Sequence, residues 1–262
     1  MYSFEIVRPT SLADAVAALG QDEAQALAGG QTLIPSLKQR LAQPSVLVSL
    51  TAIAEMQGVS AEGGVLTLGG GTTHGTVARE AAAHYPALAA LASNIGDPAV
   101  RNRGTVGGSL ANNDPAACYP AAALASGATI VTNSREIAME DYFQGMFTTA
   151  LEEGEIITAV RFPIPEKAAY IKFEQPASRF ALVGVFVAKF ADGVRVAVTG
   201  ASEEGVFRWT EAEEALSGNF SATALDGLTV SADGLMSDIH GSSAYRAHLI
   251  GVLTKRAVAA AA

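Results

Sequence analysis

The spacing of apolar residues along the chain changes several times, and each change marks an element. Phe4 and Ile6 alternate as a short strand that leaves through Arg8-Pro9. Ser11 then caps a helix whose apolar positions Ala15, Val16, Ala18 and Leu19 run to Gly20. Gln25–Ala28 is a second short strand, followed at once by Gly29-Gly30. Another helix begins near Thr32, with Pro35 tolerated in its first turn and Leu33, Ile34, Leu37 and Leu41 on one face. Val46–Leu50 closes residues 1–57 as a buried strand, so this stretch predicts a small α/β unit.

The pattern differs over 58–166. Val65–Leu68 alternates into Gly69-Gly70-Gly71, and helices are predicted at 74–82 and 86–94. The segment 95–120 is rich in Gly, Asn and Pro and reads as irregular. So long an irregular stretch inside a compact domain is usually functional. Pro163 and Pro165 mark a linker. Beyond it, 180–190 and 194–199 read as antiparallel strands around Asp192-Gly193, with helices at 210–217 and 243–260. The division expected is 1–166 and 167–262.

Composition narrows the function. The 262 residues suit two compact units, and an apolar content of 49% is ample for a core. The most hydrophobic stretch, 181–190, is about ten residues long where a membrane span needs roughly twenty. No secretory signal opens the chain, so a soluble, cytoplasmic protein is expected. A net charge of −9 disfavours nucleic acid, although backbone N–H groups can still hold an anionic cofactor. With Cys118 the only cysteine and the four histidines far apart in sequence, redox chemistry here needs an organic cofactor.

Two glycine segments can carry that cofactor. Ala28-Gly29-Gly30-Gln31-Thr32 joins a strand to a helix, where glycines permit close approach and the helix start offers N–H groups to a pyrophosphate. Thr105-Val106-Gly107-Gly108-Ser109, running on to Asp114, repeats the theme, and the pair could clasp a dinucleotide. Each alone is also readable as an ordinary turn, and the pairing is more informative than either loop. The run Gly69–Gly75 has GxGxxxG spacing, not the dinucleotide GxGxxG, and no GxxxxGK[ST] loop or GxSxG elbow occurs. His74 either faces a flavin ring or simply starts a helix. Arg101 and Arg103 suit phosphates or carboxylates alike. Cys118 reads as a small buried hydrophobe, and Glu152-Glu153-Gly154-Glu155 as a solvated turn.

The strings AGGQTLIPSLK (28–38) and IGDPAVRNRGTVGGSLANNDPAA (95–117) resemble the flavin subunits of the xanthine dehydrogenase and aerobic carbon monoxide dehydrogenase family. So do segments 140–165, 170–185 and 237–258, in order and at matching spacing. The resemblance implies an α+β fold: a PCMH-type FAD-binding domain of two subdomains, then a small domain with a three-stranded antiparallel sheet and a helical bundle. It implies that loops 28–32 and 105–109 hold the FAD pyrophosphate, with Gly29, Gly30, Gly107 and Gly108 giving N–H groups and Thr32, Thr105 and Ser109 hydroxyls. Asp114 closes the second loop, and Ile157 matches a backbone position on the adenine or ribitol side. Lys172 matches a lysine close to the flavin, with Tyr170 or Phe173 as an aromatic wall. Cys118 stands where family members often carry a carboxylate bonding the ribose, so the resemblance does not extend to that contact. The function implied is electron relay from a small [2Fe–2S] subunit, beside a large molybdopterin subunit, to NAD, oxygen or a quinone. A dimer of heterotrimers is the assembly expected. The rival readings are a self-contained flavin oxidoreductase with its own organic substrate and an assembly module that has lost its flavin.

Overall fold

A computed structural model describes residues 1–261 and holds three larger sheets arranged around one cleft, with a two-stranded ribbon, Phe143–Gly145 and Thr148–Thr149, besides. The first is parallel, with Val46–Ser49 between Glu5–Val7 and Ala24–Leu27, and its crossovers are the helices Leu12–Leu19 and Leu33–Lys38. Val46–Ser49 is buried throughout, as a central parallel strand must be. Ser11 caps the first helix by accepting from the Asp14 N–H.

The second sheet is antiparallel, in the order Val59–Glu62, Val65–Gly69, Ile157–Pro163, Thr129–Thr132, Glu136–Ala138. Helices His74–Glu80, Pro86–Ser93, Val106–Asn112 and Tyr119–Ser126 pack with it in one core. The segment 95–120 is therefore not irregular throughout. Asp97 and Thr105 each accept a backbone N–H and start a short helix, Pro98–Arg101 and Val106–Asn112 respectively. Glycines at 107 and 108 argue against helix on propensity; complete burial of Val106 and Leu110 overrides it.

The third sheet is an antiparallel meander of Lys167–Glu174, Ala181–Phe190, Gly193–Ser202 and a short fourth strand, Gly205–Arg208, one more than the three expected. Its helical part is the pair Thr210–Gly218 and Ser243–Ala261 with a 3-10 turn, Ala222–Leu225, between them. Side chains alternate in direction along a strand. Val183, Val185 and Val187 therefore meet the long C-terminal helix, while Phe186 and Ala188 enter the core of the second sheet. Burial on both faces accounts for the unbroken apolar run at 181–188. No helix among the described residues is long and apolar enough to cross a membrane.

Candidate cofactor site

The first glycine turn leaves the parallel sheet at Leu27, whose carbonyl accepts from the Leu50 N–H. Gly29 lies so close to the second loop that a β-carbon there would collide with the Arg103 carbonyl and the Gly104 backbone. Gly30 has φ +71°, a left-handed conformation that glycine adopts without strain. Gln31 Nε2 donates to the Gly29 carbonyl at 2.9 Å and stiffens the turn. The consecutive N–H groups of Gly29, Gly30, Gln31 and Thr32 donate to no acceptor among the described residues, and Thr32 does not cap its helix through its side chain. The helix that follows has only six residues, so the donors themselves matter more than its dipole.

The second turn works differently. Thr105 Oγ1 accepts from the Gly108 N–H at 3.1 Å, and the Gly107 N–H donates to the Gly70 carbonyl at 2.9 Å. Both expected donors are therefore engaged within the protein, which corrects the assignment of N–H groups to this loop. Its glycines serve close approach instead. A β-carbon on Gly107 would stand 2.7 Å from the Gly70 oxygen, and one on Gly108 would stand 3.5 Å from the Ala28 β-carbon, in the gap between the turns. Val106 is fully buried in the core.

Between the turns opens a cleft of about 510 Å³. Every residue singled out in 28–32 and 105–109 lines it except Val106, and so do Asp114, Ile157 and Lys172. Asp114 Oδ1 accepts from the Ala116 N–H at 2.9 Å, which shapes the end of the second loop. Lys172 arrives from the third sheet with its side chain 1% exposed. Its Nζ donates to the carbonyls of Asn94 at 2.6 Å and Arg179 at 2.7 Å, and lies 3.9 Å from Cys118 Sγ. The lysine thus ties the loop before Phe180 to the loop after Asn94, across the cleft wall. Burial pushes the Cys118 thiol up, more than the Lys172 charge pulls it down.

Other residues depart from expectation. Neither Tyr170 nor Phe173 lines the cleft: Tyr170 stacks on Phe186 with centroids 6.2 Å apart, and Phe173 meets the Tyr245 ring edge-on. Of the Phe, Tyr and Trp residues the one at the cleft is Phe180, half exposed in the loop just before the next strand. Arg101 pairs with no carboxylate among the described residues and does not line the cleft; its Nη1 donates to the Ile95 and Gly96 carbonyls at 3.0 and 2.8 Å. The Arg103 carbonyl, not its guanidinium, meets Gly29. Gly70 and Gly71, set aside as a weak nucleotide signature, also line the cleft.

The acidic run is not wholly solvated. Glu155 is 3% exposed at its side chain and lines the cleft. Arg135 holds it with two hydrogen bonds, from Nε at 2.9 Å and Nη2 at 3.0 Å, helped by the Thr132 and Ser134 hydroxyls and the Glu152 N–H. These bonds, the guanidinium's first, outweigh burial and hold its pKa at about 2. The folded pKa lies below the ordinary 4.5, so this contribution to stability is complete above about pH 4.5 and is lost as pH falls towards 2. Thermal melts should show a fall in Tm across that window, and Glu155→Gln should flatten it. An unchanged acid profile in the variant would remove Glu155 from the account.

The family model for the FAD binding domain in molybdopterin dehydrogenase matches residues 2–165. The chain belongs to this family. It is the FAD-binding, or medium, subunit of an oxidoreductase of the xanthine dehydrogenase and carbon monoxide dehydrogenase type. The medium chain of carbon monoxide dehydrogenase from Afipia carboxidovorans is 35% identical, over 98% of this chain and 96% of its own length. The medium subunit of nicotine 6-hydroxylase from Paenarthrobacter nicotinovorans is also 35% identical, over 95% and 94%. In three dimensions, quinoline 2-oxidoreductase from Pseudomonas putida 86 matches with a TM-score of 0.89 at 31% identity, covering 99% of this chain and 97% of that one. These medium subunits share one α+β fold.

Proposed function

We propose that this chain carries FAD in the cleft and relays electrons from a partner's [2Fe–2S] clusters to an external acceptor. The observation that carries the reading is the row of unpaired N–H groups from Gly29 to Thr32, facing a gap that glycines keep open. Gly29 is buried and Gly30 half-buried while Gln31 and Thr32 are exposed, so the first two N–H groups are the costly ones to leave unpaired, and a diphosphate satisfies several at once. Thr32 and Ser109 add hydroxyls at the same gap, and Asp114, Ile157 and Lys172 border it, the lysine Nζ lying 3.7 Å from Glu174 Oε1. FAD, when bound, supplies the exchange between one-electron and two-electron chemistry, and the protein supplies position and electrostatics.

In this reading residues 1–166 hold the cofactor and 167–262 close its cleft. Two partners complete the enzyme, a large molybdopterin subunit and a small [2Fe–2S] subunit, in a cytoplasmic dimer of heterotrimers. The substrate is set by the large subunit. Medium chains named for carbon monoxide and for nicotine enzymes resemble this one equally, which supports a chain that does not touch the substrate. A self-contained oxidoreductase would need a free general base in the cleft. The lining carboxylates are Asp114, which accepts from the Ala116 N–H, and Glu155, which Arg135 saturates, and the lining imidazole, His74, has its Nδ1 sealed from solvent.

Purification with the neighbouring gene products and anaerobic addition of the large subunit's substrate tests the proposal. The flavin colour should bleach in the assembled complex and persist when the chain alone meets that substrate. A chain that is colourless in the intact complex, or bleached without partners, would overturn it.

A further inference from the structure

His74 is the first residue of helix His74–Glu80, and its backbone N–H donates to the Gly104 carbonyl at 3.0 Å. The residue is 5% exposed and lines the cleft. Neither ring nitrogen hydrogen-bonds any described residue, and Nδ1 is sealed from solvent. One face of the ring is tilted against Tyr119, with centroids 5.3 Å apart. The polar edge left to meet the cleft is Nε2, which lies beside Gly104. A β-carbon on Gly104 would stand 2.6 Å from it, so the absence of a side chain there makes room for the imidazole. Gly104 is also the residue against which Gly29 packs. The imidazole therefore packs on Gly104, the residue against which the first turn rests, and shares the cleft lining with Gly29–Thr32.

A buried polar side chain without a partner calls for an explanation. Burial first, and the Arg101 charge second, push the His74 pKa down to about 4, so the ring is neutral near pH 7 and carries one N–H. With no acceptor at Nδ1, that hydrogen belongs on Nε2, where an anion can receive it. We propose that His74 is a positioning residue for the cofactor, its Nε2–H donating to a diphosphate oxygen of the dinucleotide held by Gly29–Thr32. The inference rests on the flavin reading above and deepens it.

Two variants separate this role from simple packing. His74→Phe keeps a ring against Tyr119 and removes the donor; His74→Gln gives up the ring and restores an N–H at similar reach. The full chain, freed of flavin, is titrated with FAD by quenching of flavin fluorescence. The expected result is wild type tightest, His74→Gln next, and His74→Phe weaker than wild type by roughly 10-fold to 100-fold, the range of a charge-assisted hydrogen bond. A packing role predicts the reverse order of the two variants. The proposal is overturned if His74→Phe binds FAD as tightly as wild type, or if His74→Gln is no better than His74→Phe. Wild type that binds no FAD would instead remove the flavin reading itself.

Discussion

A Gly108→Val variant should fold and be colourless. Gly108 faces Ala28 across the gap, and its β-carbon would also stand 2.8 Å from Thr105 Oγ1. Valine places two further methyl groups in the space a diphosphate needs, between the free N–H groups of the first turn and the second loop. The cost to the fold is small by comparison. Disturbing the Thr105 cap costs about 1 kcal/mol, partly offset because valine is a better helix former than glycine. The neighbouring glycines make poorer tests. A β-carbon at Gly29 or Gly107 would strike backbone, at Arg103 or Gly70, so substitution there would disrupt the crossing of the loops itself. The measurement is flavin absorbance per mole of purified chain, beside a melt of the apo form. Normal flavin content in the variant would mean that the cofactor does not thread between these turns.

Why the first turn was legible in the sequence and the second only partly so follows from where their partners lie. At Gly29–Thr32 the information is local: a strand, a glycine pair and a helix start leave N–H groups free whatever the rest of the chain does. At Gly107 the deciding partner is the Gly70 carbonyl, at the end of a distant strand, and no reading of 105–109 alone reveals it. Glu155 fails for the same reason. An acidic run looks solvated until Arg135, on the facing hairpin, closes over it. Phe173 was misplaced by strand geometry. It pairs with Val183, and the alternation that sends Val183 to the C-terminal helix takes Phe173 with it, so the cleft receives Phe180 from the loop instead. The elements themselves were readable because period and capping are local properties. Hydrogen-bond saturation is a tertiary one.

The largest loss of stability should come from Arg246, which does not line the cleft. This arginine stands in the helix Ser243–Ala261 and is 2% exposed. Its Nη1 donates to the Leu182 carbonyl at 2.7 Å and the Gly200 carbonyl at 2.8 Å, and its Nη2 to Asp238 Oδ2 at 2.7 Å. Both carbonyls lie where the sheet loses register, after Ala181 on one strand and between Val198 and Ser202 on the next, with Gly200 at φ +81°. The guanidinium thus completes hydrogen bonds that the irregular strands cannot make with each other. Arg246→Ala leaves two buried carbonyls without donors and opens a cavity, at a cost of about 3–5 kcal/mol. For a chain of this size Tm should fall by on the order of 10 °C. Arg246→Met restores much of the volume and none of the donors, so it should recover only a minor part of the loss. A melt of Arg246→Ala within about 1 kcal/mol of wild type, or full rescue by methionine, would show that the carbonyls find other donors. Leu182 stands two residues beyond Phe180, so the weakened variant should also release its flavin at a lower temperature than wild type, as the strand that carries the cleft's aromatic edge comes loose from the helix.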